Sequence, residues 1–165
     1  MFKEPSNHVS AFKRHLILFL VTGAGLGRVP WFPGTVGTLA AIPLSLGVNR
    51  IAIFSLPLAL LILGGSILAA IALANRGAQI LGSKDPAVIV IDEIAGFLIA
   101  NFLAAPEPVS LFLAFVLFRF FDIGKIFPAS RFEKLPGGIG IVLDDVVAGV
   151  YTFAILRLLT SWNLL

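Results

Sequence analysis

Ile51-Ala-Ile-Phe-Ser-Leu-Pro-Leu-Ala-Leu-Leu-Ile-Leu-Gly-Gly-Ser-Ile-Leu-Ala-Ala-Ile-Ala-Leu-Ala74 is the stretch that decides the architecture of this chain. It carries no charged residue, and a helix of about 20 apolar residues crosses the roughly 30 Å hydrocarbon core of a bilayer. The rest of the chain has the same character: 58% of its 165 residues are hydrophobic and 13% are charged, against about 25% charged in an ordinary soluble domain. With a mean hydropathy of +1.02, too little polar surface remains to cover a water-facing globule. There is no cysteine, which excludes a disulfide scaffold, a zinc-thiolate cluster and a thiolate nucleophile. The net charge of +3 comes from basic residues scattered between apolar runs, the pattern of juxtamembrane anchors and not of a nucleic-acid reader.

Outward from that span, the chain reads as an all-α, polytopic membrane bundle of about five membrane helices preceded by an amphipathic helix. Residues 1–26 form the interfacial segment: Val9, Phe12, Leu16, Phe19 and Leu20 recur at helical spacing, with Ser10, Lys13 and Arg14 opposite and His8 and His15 solvated or interfacial. A cleaved signal peptide is the rival reading, and Thr22-Gly23-Ala24-Gly25 is a poor cleavage site for it. Residues 27–165 form the membrane domain. Gly27 to Thr38 is rich in Pro and Gly and reads as a loop with a Trp at membrane depth. Leu39 to Val48 follows as a short or re-entrant crossing ending at Asn49-Arg50, and Ile51 to Ala74 as the clear span. Ala87 to Ala104, Val109 to Ile123 and Ile141 to Leu159 complete the set. Threaded with a cytoplasmic N-terminus, five crossings place Arg28, Arg76, Lys84, Lys125, Arg131 and Lys134 inside and leave Arg50 outside, as the positive-inside bias requires.

Five of the nine acids stand in or beside apolar runs: Asp92, Glu93, Asp122, Asp144 and Asp145. A carboxylate in hydrocarbon costs at least about 2.5 kcal/mol, so an intramembrane acid marks function by default. In this threading all five fall at the cytoplasmic ends of three helices. Gly96 lies one turn after Glu93, and Gly149 one turn after Asp145, so small residues let the helices close around the acids. Arg119, Asp122 and Lys125 follow at i, i+3 spacing, with Arg131 and Lys134 just beyond. Clustered oxygen ligands favour Mg²⁺ or a similar hard ion. Adjacent Arg and Lys suit a phosphate bridged to that ion, and Pro33-Gly34-Thr35 and Gly137-Gly138-Ile139-Gly140 offer backbone N–H groups to its oxygens. The expectation is metal-assisted phosphoryl chemistry at the membrane surface. Taken singly, each acid in a first helical turn is equally a cap favoured by the helix dipole, and a structural ion pair is the lesser alternative for Arg119 with Asp122.

The chain closely resembles the phosphatidylglycerophosphatase A family. The resemblance rests on Pro30-x-x-Pro33-Gly34-Thr35-x-Gly37-Thr38-Leu39-Ala40-Ala41-Ile42-Pro43, Asp92-Glu93-x-x-Gly96, Phe118-Arg119-x-x-Asp122-x-x-Lys125-x-x-Pro128 and Gly138-x-Gly140-x-x-x-Asp144-Asp145-x-x-Ala148-Gly149. It implies Mg²⁺-dependent hydrolysis of phosphatidylglycerophosphate to phosphatidylglycerol and phosphate, in phospholipid synthesis at the bacterial inner membrane with the site facing the cytoplasm. Carried over residue by residue, it makes Asp92, Glu93, Asp122, Asp144 and Asp145 the metal and catalytic set, and assigns Thr35, Arg119 and Lys125 to the phosphate, with Arg131 and Lys134 beside them. The implied partners are the lipid substrate and the bilayer, with no nucleic acid; oligomeric state is left open. Two rivals are weighed. A CDP-alcohol phosphotransferase also uses embedded acids and a divalent ion, but its D-x-x-D-G-x-x-A-R signature is missing. A cation transporter needs acids near mid-bilayer.

Overall fold

The computed structural model describes residues 10–165, so His8 and Val9 of the expected interfacial face lie outside the described residues. Among the described residues there are seven α-helices and no strand: α1 Ala11–Val21, α2 Pro33–Phe54, α3 Leu56–Leu81, α4 Ile91–Ala100, α5 Pro108–Gly124, α6 Ala129–Phe132 and α7 Gly138–Ser161. Three of them, α2, α3 and α7, are long and apolar enough to cross a membrane. That is fewer than the five expected.

The differences have local causes. Helix α2 starts at Pro33, inside the expected loop, because proline at the first helical position gives up only an N–H that has no helical partner. It continues through Pro43 and Asn49-Arg50 to Phe54, giving 22 residues, about 33 Å at 1.5 Å per residue. The break falls at Ser55, whose hydroxyl accepts from the Leu58 N–H and caps α3. Helix α4 has only 10 residues, about 15 Å, and does not by itself cross the core. Helix α5 has 17.

After α4 the backbone is irregular at the level of the buried Phe102 and Ala104, where unpaired peptide groups are expensive. Polar side chains satisfy it. Asn49 of α2 donates to the Asn101 carbonyl and accepts from the Leu103 N–H, both at 2.8 Å. Asn101, itself fully buried, donates to Ser45 Oγ at 2.8 Å, and Arg157 of α7 donates to the Leu103 carbonyl at 2.5 Å.

These contacts fix the helix directions. Gly34 of α2, Glu93 of α4 and Arg119 near the end of α5 lie together at one end of the bundle. Ser45 and Asn49 of α2, Asn101 of α4 and Arg157 of α7 lie together at the other. Helices α2, α4 and α7 therefore run one way and α5 the other. Helix α3 is antiparallel to α7, since Asn75 near its end meets Gly138 at the start of α7, while Ala59 and Leu63 near its start pack with Leu98 and Phe102. Helix α1 docks by its end: Val21 packs among Ala70, Ala74 and Ala78 of α3, and its carbonyl accepts from the Val90 N–H at 2.9 Å. Its Phe12, Leu16, Phe19 and Leu20 stay exposed, as expected of a helix lying on a lipid surface.

Candidate active site

Helices α4 and α7 touch backbone to backbone, and this contact assembles the site. A side chain at Gly96 would place its first carbon 2.7 Å from the Asp145 carbonyl oxygen, and one at Gly149 would meet the Gly96 carbonyl. With only hydrogens at the crossing, the acids one turn earlier on each helix are drawn together. Carboxylate oxygens of Asp92, Glu93 and Asp145 all lie within 4.8 Å of one another. Asp92 is 8% and Asp145 3% exposed, and Asp92 Oδ1 and Glu93 Oε2 are buried without a hydrogen-bond partner.

Two ion-pair systems border this triad. Arg119 of α5 pairs closely with Asp122, one turn further along the same helix, and reaches across to Glu93 Oε1 at 3.9 Å. The first turn of α2 presses onto that pair, since a side chain at Gly34 would run into Glu93 Oε1 and lie 3.0 Å from the Arg119 guanidinium. That turn brings the positive end of the α2 dipole, with the Gly34 and Thr35 N–H groups, to the carboxylates. On the other side Lys125 Nζ contacts Asp144 Oδ2 at 3.1 Å and Glu133 Oε1 at 2.8 Å. Burial alone would lower the Lys125 pKa, but its bond to Glu133 and the Asp144 carboxylate outweigh this and hold the ammonium above its usual range. Asp144 Oδ1 is a further buried oxygen without a partner.

All five expected acids and both i, i+3 cations thus meet at one end of the bundle, in an arrangement the spacing does not give. Lys125 leaves the Asp122 face because α5 ends at Gly124 and Lys125 adopts a left-handed backbone, φ 43° and ψ 48°. Neighbouring Asp144 and Asp145 diverge by about 100° on α7, so Asp145 joins the triad and Asp144 takes Lys125. Arg131 lies over the Phe127 ring, 4.7 Å from its centroid; Lys134 is exposed. Neither forms an ion pair with the cluster among the described residues. The glycines at the start of α7 serve packing. Gly138 is buried against the Ile71 carbonyl and gives its N–H to Asn75 Oδ1 at 3.3 Å, and Gly140 lies under the Leu135 carbonyl. Glu133 was not anticipated. It stands in a short polar loop where an acid carries no burial cost, so only its contact with Lys125 marks it.

In this network the carboxylates of Asp92, Glu93, Asp122, Glu133, Asp144 and Asp145 outnumber the cations Arg119 and Lys125. Like charges this close need a further cation to coexist ionised. The fold and site define a helical membrane protein with a carboxylate-and-cation centre at one end of its bundle. The phosphatidylglycerophosphatase A family model matches residues 19–160, and the chain belongs to that family. It is 36% identical to a Haemophilus influenzae protein named phosphatidylglycerophosphatase A, over 90% of this chain and 91% of the relative. It is also 36% identical to the Escherichia coli protein of the same name, over 83% of this chain and 79% of the relative. A Bacteroides thetaiotaomicron relative, 35% identical over 86% of this chain and 91% of its own length, is named as a candidate phosphatidylinositol-3-phosphatase. No solved structure matches the chain.

Proposed function

We propose that the chain is a Mg²⁺-dependent lipid phosphatase that hydrolyses phosphatidylglycerophosphate to phosphatidylglycerol and inorganic phosphate at the cytoplasmic face of the bacterial inner membrane. The observation that carries this reading is the triad of Asp92, Glu93 and Asp145 oxygens within 4.8 Å, flanked by Arg119 and Lys125. Family membership supplies the substrate.

The triad fits a divalent ion: it offers hard oxygen donors, two of them in residues that keep an unpartnered buried oxygen, and the network lacks positive charge. Asp92, Glu93 and Asp145 would hold the ion, which supplies Lewis acidity and neutralises charge on the phosphoryl group. The remaining chemistry belongs to the chain. Arg119 and Lys125 face the equatorial oxygens of the transferring group, where charge accumulates in the transition state. The α2 N-terminus, with Gly34 and Thr35, adds N–H donors, and Arg131 and Lys134 add positive potential at the rim. Asp144 Oδ1 accepts the proton of the attacking water as the bond from phosphorus to the glycerol oxygen breaks; the leaving lipid alkoxide takes a proton from solvent water, and Asp144 returns its own to solvent. Trapping a phosphorylated aspartate with hydroxylamine would overturn this direct attack.

Arg28, Arg76, Lys84, Lys125, Arg131 and Lys134 lie on the segments around the site end, with Arg50 and Arg157 toward the other, which supports a cytoplasmic site by the positive-inside bias. The alternating directions of α2, α3, α4, α5 and α7 support a five-pass topology, with α4 completed by the irregular backbone after Asn101. An ion-transport role is disfavoured because the acids sit at one end of the bundle. The deciding experiment measures phosphate released from phosphatidylglycerophosphate, phosphatidylinositol-3-phosphate and phosphatidic acid in nanodiscs, with Mg²⁺ and with EDTA. The reading expects Mg²⁺-dependent release with the first lipid preferred. Undiminished release in EDTA refutes the metal, and preference for the inositol lipid refutes the substrate.

A further inference from the structure

Lys125 is fixed from two sides. Its backbone is left-handed, φ 43° and ψ 48°, and its ammonium is divided between a buried and a more exposed carboxylate. The Asp144 side chain is 11% exposed and the Glu133 side chain 43%. Any phosphoryl oxygen that meets Lys125 comes close to Glu133 as well, because Glu133 Oε1 is only 2.8 Å from Nζ. Of the two carboxylates, Glu133 has the freedom to yield. It lines a cavity of about 130 Å³ whose other walls include Lys84, Gly137 and Gly140. Lys84 is exposed and makes no ion pair among the described residues.

Building on the phosphatase reading above, we propose that Glu133 is a positioning residue that competes with the substrate phosphate for Lys125: it holds the ammonium between turnovers, moves across the cavity toward Lys84 when a phosphoryl group binds, and returns to expel inorganic phosphate. The device keeps product affinity low in a site otherwise built to attract a dianion. The exchange is one ion pair for another, so nothing is consumed.

The experiment measures the affinity of inorganic phosphate by calorimetry on the full chain in nanodiscs, with and without Mg²⁺, beside kcat and KM for the lipid. A partly exposed pair couples by about 0.2–1 kcal/mol, so Glu133→Gln should tighten phosphate binding and lower KM by about 1.5- to fivefold. Glu133→Asp should stay close to wild type, and Lys84→Met should weaken phosphate binding by a similar factor. In a Lys125→Met background the effect of Glu133→Gln should vanish. Weaker phosphate binding in Glu133→Gln, or a loss confined to kcat, would make Glu133 a structural brace and overturn the proposal. So would an unchanged effect without Lys125, an unchanged affinity in Lys84→Met, or no phosphate binding by the wild-type chain. Because affinity is read without turnover, failure of the wild type to hydrolyse any of the three lipids strikes the phosphatase reading, while the affinity changes judge Glu133.

Discussion

Replacing Gly96 by alanine tests whether close approach of α4 and α7 builds the site. The added carbon would lie 2.7 Å from the Asp145 carbonyl oxygen and 2.9 Å from Phe118 Cε2, and since ordinary contact begins at 3.4 Å the helices must part by about 0.7 Å. The obstacle on the α7 side is backbone, which cannot rotate away as a side-chain end can. Overpacking of this kind costs about 1–3 kcal/mol. The same displacement moves Asp145 from Asp92 and Glu93, and a misplacement of about 1 Å costs on the order of 100-fold in rate. Gly96→Ala should therefore lower kcat by one to two orders of magnitude, weaken Mg²⁺-dependent thermal stabilisation, and lower the melting temperature in detergent. Gly64→Ala is the control, because nothing lies within 4 Å of a side chain there; it should keep wild-type activity. A Gly96→Ala protein with full kcat and an unshifted melt would refute the argument.

Three further outcomes follow from the same geometry. Asp145→Asn should cost more than the about 10–100-fold typical of losing an outer partner of a metal ligand, while leaving the EDTA melt unchanged or raised because a like charge is removed; a lowered EDTA melt with residual turnover would point to a structural role instead. Asn101→Ala, at the far end, should lose about 1 kcal/mol of stability and keep KM for the lipid; a changed KM with an unchanged melt would contradict the separation of the two ends. Arg119→Met should abolish turnover, because it removes the partner of both Glu93 and Asp122, whereas Arg131→Met, which loses a stacking contact with Phe127, should cost less than about tenfold. Phosphate-release kinetics on the two variants decide whether Arg131 reaches the substrate.

The sequence carried the site further than the span count. Acids in apolar runs are conspicuous because each one costs free energy in hydrocarbon, so Asp92, Glu93, Asp122, Asp144 and Asp145 stand out without coordinates. Hydropathy is blunter about helix ends. Ala87 to Ala104 reads as one span, yet only Ile91–Ala100 is helical; beyond Ala100, Asn49 and Arg157 supply at a distance the backbone hydrogen bonds that a continuing helix would supply locally. Pro33 falls in the stretch that reads as a loop, yet α2 begins at it and runs on through Pro43.

From composition and pattern alone, this chain is a helical membrane protein whose few charges gather for chemistry on a phosphate, and its motifs name the family. Which oxygen works with which partner belongs to the tertiary structure. Asp145 enters the triad and Asp144 does not because α4 and α7 meet at Gly96 and Gly149. Lys125 turns from Asp122 to Glu133 because α5 ends one residue before it. Those assignments depend on rotation about helix axes and on contacts between segments far apart in the chain, and neither is encoded in local spacing.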